Sequence, residues 1–157
     1  MNSIVKIIIV YVLLATVAFA KLPTEKILMS EAVPKGYEAD VFKKTIVLMT
    51  EARLYLQKKY RKKVTFEYIP NKLKKDQISS VLKKYDARFY VSLKIKKQKA
   101  KKNLEKVLYS LVIFDSKKNR LKTVKTKAII RDKKIVKISQ GALKSSAKKI
   151  AKILKKR

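Results

Sequence analysis

Between Arg88 and Ile130 the chain reads as three strands in succession, and no other stretch restricts the fold so tightly. In RFYVSLKIK, residues 88–96, Phe89, Val91, Leu93 and Ile95 alternate with Tyr90, Ser92, Lys94 and Lys96. A period of two puts the first set on one sheet face and the second on the other. LEKVLYSLVIFD, 104–115, is apolar on both faces, which predicts a central strand. Asp115-Ser116-Lys117-Lys118-Asn119 reads as a turn, and RLKTVKTKAII returns with Val124, Thr126, Ala128 and Ile130 facing one way. KQKAKKN, 97–103, reads as a basic loop between the first two strands. An antiparallel run of this kind can leave one face wet, but its apolar face needs a cover.

The rest of the chain supplies that cover. KILMSEAV, 26–33, is a first strand stopped by Pro34 and Gly36. Glu38 and Asp40 open a long helix whose stripe is Phe42, Ile46, Met49, Ala52, Leu56 and Tyr60, widened by Val41, Leu48 and Tyr55. KKYRKK, 58–63, closes it with cations at the negative end of the helix dipole. KVTFEYI, 63–69, is a second strand ended by Pro70, and a second helix buries Leu73, Ile78, Val81, Leu82 and Tyr85. Residues 134–138 read either as a short extra strand or as the lead-in to the last helix. That helix, GALKSSAKKIAKILKKR, carries Leu143, Ala147, Ile150, Ala151 and Leu154 on one stripe. Alone it would pass for a basic peptide that attacks anionic bilayers. Beside three strands that lack a cover it reads as a structural lid. The expectation is an α+β fold in the order β-α-β-α-β-β-β-α, with a mixed sheet and helices packed on one face.

The N-terminal MNSIVKIIIVYVLLATVAFA has the three-part layout of a secretory signal peptide. Lys6 supplies the positive region, Ile7 to Phe19 the apolar region, and Ala18-Phe19-Ala20 the small-x-small cleavage site. The apolar run falls short of the roughly 20 residues a spanning helix needs, which sets cleavage after Ala20 above an uncleaved anchor. Residues 21–157 then form a single basic domain, exported to the periplasm or secreted. With no cysteine, neither a lipid anchor nor a disulfide framework is available to it.

The segment VLKKYDARFYVSLKI, 81–95, resembles the helix-to-strand step of TolB-type N-terminal domains and of the LpoB- and CsgG-like bacterial envelope domains. Ala87, Tyr90 and Val91 match that step, and VIFDSKKNRL resembles the strand-turn-strand that follows it. The likeness spans Val81 to Leu154, and Ser92 stands where those domains usually carry glycine. It implies an envelope protein-binding module and transfers no functional residue.

Charge and side-chain inventory narrow the function further. Lys and Arg number 42 against 11 Asp and Glu; Lys6 alone lies in the leader, so the remainder carries +30. Such a chain attracts polyanions. Only six of the cations are arginine, the residue suited to bidentate recognition, so the attraction reads as diffuse. A lysine-rich, cysteine-free composition is also shared with thermophile proteins, which offers a second account of the charge.

Without histidine or cysteine, the common nucleophile–base pairs and transition-metal sites are missing. Two glycines cannot build a phosphate-cradling loop, so no cofactor is expected. Ser80–Lys83, Ser145–Lys148 and Ser146–Lys149 fit S-x-x-K, at a frequency that chance explains in so lysine-rich a chain. A pair of scattered carboxylates is the remaining route to a hydrolase. The candidate polyanion-binding set is Tyr90 with Lys94, Lys96, Lys97, Lys99, Lys101 and Lys102, an aromatic beside lysines on a sheet face. Tyr90 packing beneath a helix is the competing reading. The expected partner is an envelope protein, an anionic polymer or lipid headgroups; export disfavours nucleic acid.

Overall fold

The computed structural model describes residues 24–101, 104–131 and 134–155; for 99–101, 134 and 136 only the backbone is described. The leader sequence and Lys102 lie outside these residues. The element order is β1 (Thr24–Ser30), α1 (Asp40–Tyr60), β2 (Lys63–Ile69), α2 (Lys75–Lys84), β3 (Phe89–Lys101), β4 (Leu104–Asp115), β5 (Arg120–Arg131), β6 (Lys134–Lys137) and α3 (Gln140–Leu154). The expected α+β order is present, with 134–137 forming a short sixth strand ahead of the last helix. The sheet runs β2-β1-β3-β4-β5-β6. β1 pairs with β2 and β3 in parallel, and β3 to β6 form an antiparallel meander.

The alternation in the sequence maps onto two cores. Ile27, Met29, Phe89, Val91, Leu93, Val107, Tyr109, Leu111, Ile113, Val124, Ala128 and Ile130 face α1 and α3. Ile150, Ala151 and Leu154 of α3 have no exposed surface, so the last helix is the lid its stripe predicted. Ile150 and Leu154 each contribute about 1.5–3 kcal/mol by leaving water. Thr45 of α1 and Tyr109 of β4 hydrogen-bond inside this core, as do Thr126 and Ser146 at 2.7 Å. Ser139 caps α3 by accepting from Ala142 N–H.

α1 and α3 share one face as expected, whereas α2 lies on the other. There Ile78 and Leu82 pack with Leu28, Ile69, Tyr90 and Phe114 in a second, smaller core. The reason is topological. The β1-α1-β2 step moves to the sheet edge, and the β2-α2-β3 step runs back across β1 in the opposite direction. Parallel crossovers are right-handed, so reversing the direction of travel puts the second helix on the opposite face.

The basic loop expected over 97–103 is largely strand. Lys99, Ala100 and Lys101 pair with Lys106, Glu105 and Leu104, after a bulge between Lys97 and Lys99. Pairing with β4 satisfies a backbone that a loop would have left to water. Bulges bend and twist a strand, and this one lies where β3 runs toward the far end of the hairpin.

Candidate functional site: the basic open face of the sheet

α2 covers only one end of its sheet face. Beyond it, the register of β3, β4 and β5 sets three columns side by side. Ser92, Lys94 and Lys96 pair with Val112, Ser110 and Leu108, which pair in turn with Thr123, Lys125 and Lys127. Two ranks of lysine therefore flank a middle strand of small and apolar side chains. With strands about 4.8 Å apart and a two-residue repeat near 7 Å, the ranks stand about 10 Å from each other. Lys106 and Arg131 extend the same face, since they share parity with Leu108 and Lys127.

All six of these cations are exposed, and none has an ion-pair partner among the described residues. On this stretch of β3, β4 and β5 no described carboxylate shares their face; Glu105 and Asp115 have the opposite parity. Ser92 and Ser110 are buried at 4 % and 5 % exposure, so the floor between the ranks is closed by their longer neighbours. A hollow of about 270 Å³ lies toward the far end of the hairpin and is lined in part by Lys106, Lys127, Ile129 and Lys137.

The residues singled out from sequence separate here. Lys94 and Lys96 lie on the open face. Tyr90 shares their parity but is 2 % exposed under α2, where its hydroxyl accepts from Leu73 N–H at 2.9 Å. It closes the second core and offers no stacking platform, which corrects the aromatic half of the expected site. Lys97 faces the other way and pairs with Glu105 at 2.9 Å; that hydrogen bond and the carboxylate's charge raise its pKa. Tyr37 donates to the same carboxylate, and burial followed by that charge raises its pKa too. Lys99 and Lys101 belong to β3 by backbone pairing. Lys106, Lys125, Lys127 and Arg131 join Lys94 and Lys96 only through register, which no spacing within one strand reveals. The signal lies in RLKTVKTKAIIR, where Lys125, Lys127 and Arg131 share one parity and Val124 and Ala128 take the other.

The ionisable groups that are buried do something different. Arg88 holds Asp115 in a bidentate pair, Nε to Oδ1 and Nη2 to Oδ2 at 3.1 Å each, and reaches Glu25 Oε1 with Nη1 at 2.8 Å. Lys62 Nζ stands 2.7 Å from Glu25 Oε2 and donates to the Leu154 carbonyl at 2.6 Å, near the C-terminal end of α3. Burial opposes the charge on Arg88, and its hydrogen bonds to Asp115 and Glu25 outweigh that, so its pKa is raised. Two cations and two anions balance, joining β1, β4, the end of α3 and the residues that lead into β2 and β3. The chemistry is structural: each carboxylate is committed to a cation. Among the described residues no three carboxylates converge as a metal site would require.

No protein-family model matches the chain, and no curated protein matches it. Among solved structures, the PelC dodecamer from Paraburkholderia phytofirmans is similar at 13% identity, with 87% of this chain and 89% of that chain covered and a TM-score of 0.36. A point variant of that dodecamer gives 13% identity, 85% and 90% coverage and a TM-score of 0.35. Among the described residues no helix is long and apolar enough to cross a membrane.

Proposed function

We propose that this chain is an exported, non-enzymatic interaction module of the bacterial cell envelope that holds a linear polyanion on the open face of its sheet. The observation that carries the reading is the set of six cations, Lys94, Lys96, Lys106, Lys125, Lys127 and Arg131, on one face without a counter-charge among the described residues. Like charges gathered without partners repel one another, and an anionic polymer laid across them relieves that repulsion while releasing its own counter-ions. The signal-peptide pattern of residues 1–20 and the resemblance of 81–154 to envelope domains support an envelope setting. The absence of histidine and cysteine, together with the pairing of Glu25 and Asp115 in a closed network, supports binding over catalysis.

Two ranks about 7 Å in repeat suit a chain with regularly spaced phosphates or carboxylates. Salt dependence tests this directly. Binding of a fluorescent single-stranded oligothymidylate, used as a calibrated polyanion, and of heparin is measured from low to high salt. Replacing Lys94, Lys96, Lys125 and Lys127 together by alanine should lower the slope of log K against log salt for the oligonucleotide by about 3, at roughly 0.7 per contact. A matched set of exposed lysines elsewhere, Lys35, Lys72, Lys84 and Lys118, should leave the slope nearly unchanged. Equal losses from both sets would show that the charge acts diffusely and sink the assignment to this face. Salt-insensitive or absent binding would leave a protein partner as the remaining version of the module. Mass analysis of the exported product should place its N-terminus at Lys21.

A further inference from the structure

The opposite side of the molecule carries a second, differently built basic surface. α1 and α3 lie side by side there, and the C-terminal half of α1 turns Tyr55 and Tyr60 toward α3. Their rings meet edge-on at 6.1 Å. Lys59 Nζ stands 5.7 Å from the Tyr55 ring centre and 6.0 Å from that of Tyr60. From α3, Lys148 reaches the Tyr55 ring at 6.0 Å and Lys155 the Tyr60 ring at 4.6 Å. Three ammonium groups from two helices are thus gathered around two half-buried rings, with no ion pair among the described residues.

On the outward side of α1, Val47 and Leu54 are 46 % and 52 % exposed. They are seven residues apart and so share one helix face about 10 Å along the axis. Leu54 borders a hollow of about 250 Å³ that Tyr55, Lys58, Lys144 and Lys148 also line; among the described residues Glu51 is the one acidic side chain in that lining. A soluble polyanion offers nothing to two protruding aliphatic side chains. A bilayer offers both halves of what is needed: headgroup phosphates for the lysines, and acyl boundary for Val47 and Leu54, with tyrosine at the depth between.

We infer that the α1–α3 surface docks the domain onto an anionic lipid bilayer, with Val47 and Leu54 entering the interface and Lys59, Lys148 and Lys155 on the headgroups. The open sheet face then points away from the membrane, so one domain holds a bilayer on one side and a polymer on the other. The two sites share no residue, and each stands or falls by its own measurement.

The chain has no tryptophan, so a single introduced one reports its own surroundings. Leu54→Trp marks the docking surface, and Leu121→Trp, at a position 48 % exposed on the sheet face, serves as the control. Both positions are exposed, and unchanged urea midpoints would show the variants folded. With vesicles of mixed phosphatidylglycerol and phosphatidylcholine, Leu54→Trp emission should shift to the blue while Leu121→Trp emission stays put. Replacing Lys59, Lys148 and Lys155 together by glutamine should weaken vesicle binding roughly a hundredfold, whereas the sheet-face quadruple alanine variant should bind vesicles like its parent. Equal shifts at both reporters, a shift at Leu121→Trp alone, or vesicle binding that leaves Leu54→Trp unshifted would overturn the assignment, since charge alone orients nothing. A shift produced equally by soluble heparin would make this a polyanion surface instead, and would also overturn it.

Discussion

Removing the Arg88 guanidinium should cost more stability than removing any exposed lysine of this domain, although the chain carries 42 cations. Arg88 makes two bonds to Asp115 and one to Glu25 while its side chain is only 6 % exposed. In Arg88→Met, Glu25 keeps the Lys62 ammonium, but Asp115 keeps only the Lys117 N–H at 3.2 Å. Asp115 is then a buried carboxylate without a cation, and breaking such a pair from one side costs about 3–5 kcal/mol. With a urea m-value near 2 kcal/mol/M, the midpoint should fall by about 2 M. Lys62→Met should fall between this and the parent, because Glu25 retains Arg88. Lys97→Met, which breaks the exposed pair with Glu105, should leave the midpoint where it was. Adding Asp115→Asn to Arg88→Met should recover part of the loss, because the stranded charge is removed along with its partner. The assay is equilibrium urea unfolding followed by far-UV circular dichroism. If Arg88→Met and Lys97→Met shift the midpoint equally, the network contributes no more than a surface pair and the reasoning fails.

Further outcomes follow from the helix-covered core. Burial pushes the Tyr109 phenol well above its ordinary range, against the opposing bond to Thr45. The unfolded chain therefore gives up that proton first, near pH 10, and binds fewer protons than the folded chain from there upward. Stability should fall with rising pH above about 10 by up to about 1.4 kcal/mol per pH unit from this group. Tyr109→Phe should lack that component and cost about 1–3 kcal/mol at neutral pH by stranding the Thr45 hydroxyl; parallel urea titrations from pH 8 to 11 read both. Ile150→Ala should cost about 2–5 kcal/mol, since Ile150 has no exposed surface. For the same reason the intact domain should release no dye from anionic vesicles: the stripe of α3 that a membrane-active peptide would insert is already buried in the core.

Periodicity carried most of the fold. The alternation from Phe89 to Ile95 and the stripe from Val41 to Leu56 name the residues of the main core, because side-chain direction repeats with the backbone whatever the tertiary setting. The polar turn at Asp115 to Asn119 was equally local: Asp115 accepts from Lys117 N–H, and Asn119 takes the left-handed conformation at φ 43°. Three things were not local. The face taken by α2 follows from reversing a right-handed crossover, so Tyr90, correctly placed opposite Val91, came to lie under a helix and not in water. The pairing of Arg88 with Glu25 and Asp115 joins residues 63 and 27 positions apart, and no spacing rule selects these two partners from so many charges. The gathering of Lys148 and Lys155 around Tyr55 and Tyr60 likewise needed α3 to lie along α1. KKYRKK on its own reads as a solvated helix end. Residue order dictates which way each side chain points along its own element; which elements face each other is decided by crossover handedness and core packing, and both candidate surfaces are products of that second step.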